Sequence, residues 1–172
     1  MGCDIHGFLE IRKYAPKVMD WIDLHSILDH RNYDVFAIFA GVRNYVNAPL
    51  ISEPKGFPSD ASVSSKVEFE NMKGDAHTPS WLTYKEICDY FWSNSTKTFI
   101  DGRISVIDKV TGKEIEKFCE GTRDEEHYRY EQKVRTVSEI VPPIWRAFLD
   151  YMKELSSIYG GENVRIVFWF DN

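Results

Sequence analysis

Over residues 164–171 the chain reads VRIVFWFD, with apolar side chains at nearly every position. In an extended segment Val164, Ile166, Phe168 and Phe170 fall on one face, and Val167 and Trp169 on the other. Both faces then need cover, which predicts a strand near the centre of a sheet. The opening MGCDIHGFLE is patterned differently. Residues 3–12 alternate, with Cys3, Ile5, Leu9 and Ile11 on one face and Asp4, His6, Glu10 and Arg12 on the other. This predicts a second strand, a natural neighbour of the first.

Helical spacing appears elsewhere. Residues 18–44 hold one or two short helices, with Tyr33, Phe36, Ala37 and Ala40 lining one side and Gly41 as the stop. Thr83 and Glu86 have capping-box spacing, and Leu82 and Ile87 form the accompanying staple. A helix is therefore expected from Tyr84 to about Trp92, burying Ile87 and Phe91, with GDAH (74–77) just outside its start. Pro142 and Pro143 open a last helix running to about Tyr159, and Gly160-Gly161 closes it. Its expected inward stripe is Ile144, Phe148, Tyr151, Met152 and Leu155. Between these elements, residues 48–65 carry three prolines and read as a long irregular loop, a common place for function. Asp101-Gly102 and Thr111-Gly112 signal turns, the second as a hairpin. The charged block 123–135 reads as a solvated face. Together these elements predict one α+β domain over residues 1–172, a small mostly antiparallel sheet with packed helices.

Composition narrows the function classes. A formal net charge of -6 argues against a broad nucleic-acid-binding surface, while leaving room for a local nucleotide pocket. Cys3, Cys88 and Cys119 are odd in number and widely spaced, so they suggest neither a disulfide framework nor a CxxC ligand pair. No apolar run reaches the ~18 residues of a membrane span. A cytoplasmic protein with no membrane association is the expectation. His6 stands where a myristoylation signal at Gly2 wants Ser or Thr.

Five islands, MGCDIH, RNYDVFAIFAGVRN (31–44), PKGFPSD (54–60), DAHTPSWLT (75–83) and VRIVFWFD, together resemble a family of uncharacterised phage and prophage proteins. The resemblance implies a small intracellular protein of phage or prophage context and leaves its chemistry open. The family pattern around the histidine is DxHSxSWLT, whereas here Ala76 and Thr78 flank His77. That departure is expected to weaken any hydroxyl role at position 78 while leaving Asp75 and His77 available.

Two D-x-H elements, Asp4/His6 and Asp75/His77, offer carboxylate and imidazole ligands for a divalent transition metal such as zinc, manganese or iron. Such short elements also arise as ordinary polar surface. His25, His30 and His127 read as surface or packing positions. Arg43, directly after the Gly41 break, presents a planar donor fork for phosphate or carboxylate, unless Asp34 or Asp60 takes it as an ion pair. Lys55 adds charge from the loop, and Tyr45 and Trp81 supply aromatic planes for stacking. Cys3 reads as a buried small hydrophobe, or as a thiol nucleophile with His6 or His77 as base. No Walker A, GxGxxG or GxSxG motif is present. Two functions are expected from these groups. The first is a binding or inhibitory protein with a small polar pocket around Arg43 and residues 54–60, taking a small nucleotide or a host protein. The second is a metal-dependent phosphoester hydrolase using Asp4, His6, Asp75 and His77.

Overall fold

The computed structural model describes residues 2–13, 20–27, 30–115 and 123–172, apart from the His25 side chain. Cys119, Phe118 and part of the 18–44 stretch therefore lie outside the described residues. The chain forms an α+β fold built on two antiparallel sheets. Four strands make the first: β1 (Ile5–Arg12), β2 (Trp21–Ser26), β3 (His77–Thr83) and β7 (Val164–Phe170), in the order β2-β1-β7-β3. β7 is an interior strand and every one of its residues is buried, as its two apolar faces require. β1 pairs with it in antiparallel register from Ile5↔Phe170 to Ile11↔Val164.

The first face of this sheet carries Cys3, Ile5, Leu9, Ile11, Leu82, Val164, Ile166, Phe168 and Phe170, which join one continuous apolar cluster. α1 (Tyr33–Ala40), α3 (Tyr84–Asn94) and α5 (Pro143–Tyr159) contribute to the same cluster. α1 is buried over all of Val35–Ala40 and not along one side only, so it is a core helix. It starts at Asn32, whose side chain accepts from Val35 N, and stops at Gly41 in the left-handed region. The second face carries Val167, Trp169, Phe8 and Trp81. α2 (Val63–Asn71) and the 54–62 loop cover it, and Phe69 lies 5.3 Å from the Trp169 ring, edge-on. Gly7 sits at φ 146° where β1 crosses β7, and a Cβ there would run into the Val167 carbonyl.

Several local expectations need correction. Residues 21–26 are strand β2 and not helix, because their alternation lets Trp21 turn inward while Ile22 and Leu24 stay at the exposed edge. HTPSWLT is strand β3, so GDAH leads into a strand, with His77 its first residue, and does not stand at a helix start. Pro79 is tolerated because β3 is an edge strand. The Thr83/Glu86 capping box does form and starts α3 at Tyr84. The long loop ends at Ser62, which caps α2. α5 buries Trp145, Phe148 and Met152, while Ile144 and Tyr151 are exposed. The inward face is therefore turned by about one residue. Trp145 decides this, since its ring lies 5.6 Å from Phe39 and its indole N–H donates to the His30 carbonyl.

The second sheet, β5-β4-β6, comprises β4 (Thr98–Asp108), β5 (Glu114–Ile115) and β6 (Tyr128–Thr136). The 111–112 turn makes the expected hairpin, but Asp101-Gly102 marks a bulge inside β4 and not a chain reversal. The bulge has a purpose in packing. It brings Gly102 N to the Val46 carbonyl at 3.0 Å and buries the Asp101 carboxylate between Arg103 and Arg135. Arg103 also reaches Asp34 at the start of α1, so this cluster fastens the second sheet to α1. Burial pushes the Asp101 carboxyl up, but the two guanidiniums outweigh burial and hold it below the usual range. A depressed folded pKa means the stabilisation is present above the unfolded value, about 3.9, and is lost as pH falls through the folded one. Denaturant midpoints measured from neutral pH down to about pH 3 should therefore fall less steeply in Asp101→Asn than in the parent chain.

Candidate functional site

The N-terminal end of β1, the C-terminal end of β7 and the start of β3 meet at one end of the first sheet. Ile5 and His77 both pair with Phe170, from opposite sides. This register carries the Cys3 thiol to the same place as His77, although 74 residues separate them in sequence. Cys3 Sγ lies 3.9 Å from His77 Nε2. On the far side of the ring, His77 Nδ1 is 2.9 Å from Thr78 Oγ1. The ring itself lies nearly parallel to Phe170, with centroids 5.9 Å apart. The Thr78 hydroxyl is thus in contact with the histidine. Threonine supplies the same hydroxyl as the serine of the family pattern.

Arg43 completes the cluster. It follows the Gly41 cap of α1 and sits at φ 51°, in the left-handed region. Its guanidinium donates to Tyr45 Oη at 3.4 Å and to the Asn172 side-chain carbonyl at 3.3 Å, both long contacts. Neither expected partner is used: Asp34 pairs with Arg103 and Asp60 with Arg165. Among the described residues no carboxylate side chain pairs with Arg43. Tyr45 is 50% exposed, and its ring packs edge-on against Tyr33, whose hydroxyl accepts from Cys3 N. Thr78, at φ 49°, is a β-branched residue in the left-handed region. Strained backbone at both Arg43 and Thr78 flanks one spot, and such strain persists where surrounding structure enforces it.

Burial pushes the Cys3 thiol up, while Arg43 is close enough to pull against that shift. Cys3 itself is fully covered. The remaining charges here are matched. Arg31 forms a fork-to-fork pair with Asp4 at 2.6 and 2.7 Å, and its hydrogen bonds hold the Asp4 carboxyl below its usual range. His6 Nε2 lies 3.1 Å from Asp171 Oδ2.

The expected metal set does not assemble. His6 belongs to the second face of the sheet, opposite Trp169, whereas His77 stacks on Phe170 and meets Cys3 on the first. Asp75 is exposed in the turn before β3. Among the described residues no three His, Cys, Asp or Glu side chains are placed to hold a metal ion. The expected ligand quartet also divides. Lys55 lies 3.9 Å over the Trp81 ring and pairs with Glu86, and its backbone N–H donates to Ser80 Oγ. Lys55 and Trp81 hold the loop onto β3, while Arg43 and Tyr45 stand at the sheet end. His127 pairs with Asp124 in a surface turn.

Sequence reasoning missed the Glu10–Arg165 pair, buried at 0% and 2% exposure. Glu10 accepts from Arg165 Nε, Ser62 N and Ser65 Oγ, while Arg165 continues to Asp60 and lies 3.8 Å over Trp21. The lone cation within VRIVFWF was its signal. Among the described residues no helix is long and apolar enough to cross a membrane. No family model, curated protein or solved structure matches the chain.

Proposed function

We propose that this chain is a binding protein for a small ligand bearing one negative charge beside a planar ring. A phosphodiester nucleotide is the nucleotide class that combines both features. The observation that supports this reading is Arg43, a guanidinium held by strained backbone with two long contacts and, among the described residues, no carboxylate side chain. One unmatched cation suits one negative charge. Arg31 and His6 already face Asp4 and Asp171, and those carboxylates disfavour a phosphate monoester dianion. The half-exposed Tyr45 ring beside Arg43 offers a stacking plane. Arg43 and Tyr45 keep the binding role expected of them, and Lys55 and Trp81 become loop anchors.

Calorimetric titration with a cyclic nucleoside monophosphate, a nucleoside 5′-monophosphate and benzoate tests this directly. The singly charged cyclic nucleotide should bind more tightly than the dianion, with benzoate reporting charge plus ring alone. Arg43→Ala should weaken binding roughly 10–100-fold, the worth of a charge-assisted hydrogen bond. Equal affinity in the parent chain and Arg43→Ala would overturn the reading, as would no binding of any of the three.

A further inference from the structure

We propose that the same sheet end is also a thiol acyl-transfer site, in which Cys3 is the nucleophile, His77 its base and Arg43 the oxyanion partner for a small aryl ester. The proposal rests on the Arg43–Tyr45 reading above and adds chemistry to it. The relay is geometric. Sγ of Cys3 is 3.9 Å from Nε2 of His77, and Nδ1 of His77 is 2.9 Å from Thr78 Oγ1. With the ring proton on Nδ1, His77 donates to the Thr78 hydroxyl and turns a free Nε2 toward the thiol. A nucleophile–base distance that is long in the free protein and tightens with substrate is common in such pairs. Thr78 is a positioning residue, held at φ 49° beside the base.

An acyl substrate fits better than a phosphoryl one. A neutral ester brings no charge toward Asp4 and Asp171, and its tetrahedral intermediate develops a single negative charge for the Arg43 guanidinium, which no described carboxylate side chain pairs. Among the described residues the Arg43 side chain is held by long contacts to Tyr45 and Asn172. Cys3 is fully covered, so the sheet end must open for a substrate to reach the sulfur.

In the first step His77 Nε2 takes the thiol proton as Sγ bonds to the carbonyl carbon, and the electron pair moves to the carbonyl oxygen beside Arg43. Collapse of this intermediate breaks the C–O bond, and the leaving aryloxide takes the proton from His77. Water then attacks the thioester and gives a proton to His77. The C–S bond breaks, the thiol regains that proton, and a carboxylic acid is released.

The test uses the full chain with Cys88→Ser and Cys119→Ser, so that Cys3 carries the only thiol. Incubation with p-nitrophenyl acetate should place an acetyl group on Cys3, read by peptide mass mapping, with p-nitrophenol released alongside. His77→Ala should slow Cys3 acetylation about 10²-fold, the scale of a lost general base. Thr78→Val should slow it as well, and Thr78→Ser, which keeps the hydroxyl, should recover the rate. Circular dichroism checks each fold, and His77→Gln replaces His77→Ala if that variant unfolds. Acetylation at the parent rate without His77, or neither an acetyl group on Cys3 nor Cys3-dependent p-nitrophenol release, would overturn the proposal. Arg43-dependent nucleotide binding that persists beside such a failure would leave the binding reading standing alone.

Discussion

Replacing Phe168 with Ala is expected to destabilise the chain by about 3–5 kcal/mol, the range for an aromatic side chain removed from a packed core. Phe168 is fully buried on the first face of β7. Its ring lies 5.7 Å from Phe39 of α1 and 5.8 Å from Phe170, so the cavity would open between the sheet and its central helix. Close packing on both sides limits collapse of the void. A loss of that size approaches the whole stability of many small domains. Urea unfolding followed by circular dichroism measures it. A loss below about 1 kcal/mol would be incompatible with a central strand.

Breaking the Glu10–Arg165 pair is expected to cost a similar amount. Glu10→Ala would leave the Arg165 guanidinium, 2% exposed, with Asp60 as its remaining carboxylate partner. It would also strip Ser62 N and Ser65 Oγ of their shared acceptor at the start of α2. Removing one partner of a buried pair typically costs about 3–5 kcal/mol, whereas replacing both with apolar groups of similar volume is often neutral. The Glu10→Leu, Arg165→Met double variant should therefore recover much of what Glu10→Ala loses. A double-mutant comparison by denaturant unfolding checks this. Equal destabilisation in the single and double variants would mean that the network's packing, and not its charge pairing, dominates.

Much of this architecture is written locally. Seven residues with two apolar faces mark β7 as interior, and Thr83 with Glu86 marks the start of α3 within one turn. Period-two alternation assigned the faces of β1, with Cys3 and Ile5 on one side and Asp4 and His6 on the other. Other features depend on distant packing. Pro79 fits within β3 because the strand lies at the sheet edge, where the missing N–H is harmless. Trp145 shifted the inward face of α5 through contacts made by distant Phe39 and His30. The candidate site was legible as residue types and not as a constellation. Cys3 beside His6 or beside His77 were both allowed by the sequence, and only the common pairing of β1 and β3 with β7 brings Cys3 to His77. No spacing rule could show that Asp34 and Asp60 are occupied by Arg103 and Arg165, which leaves Arg43 without a carboxylate side chain among the described residues.

Chemical-shift mapping by NMR, with a cyclic nucleoside monophosphate added to the full chain, tests the location of this site most directly. The account predicts shifts concentrated in Cys3, Arg43, Tyr45 and Thr78, with the His77 imidazole resonances moving in step with saturation. The principal alternative is the apolar groove of about 440 Å³ between α3 and α5, lined by Phe91, Trp92, Arg146 and Leu149 among others. Shifts confined to that groove, with the Arg43 and His77 signals unmoved, would contradict the central claim.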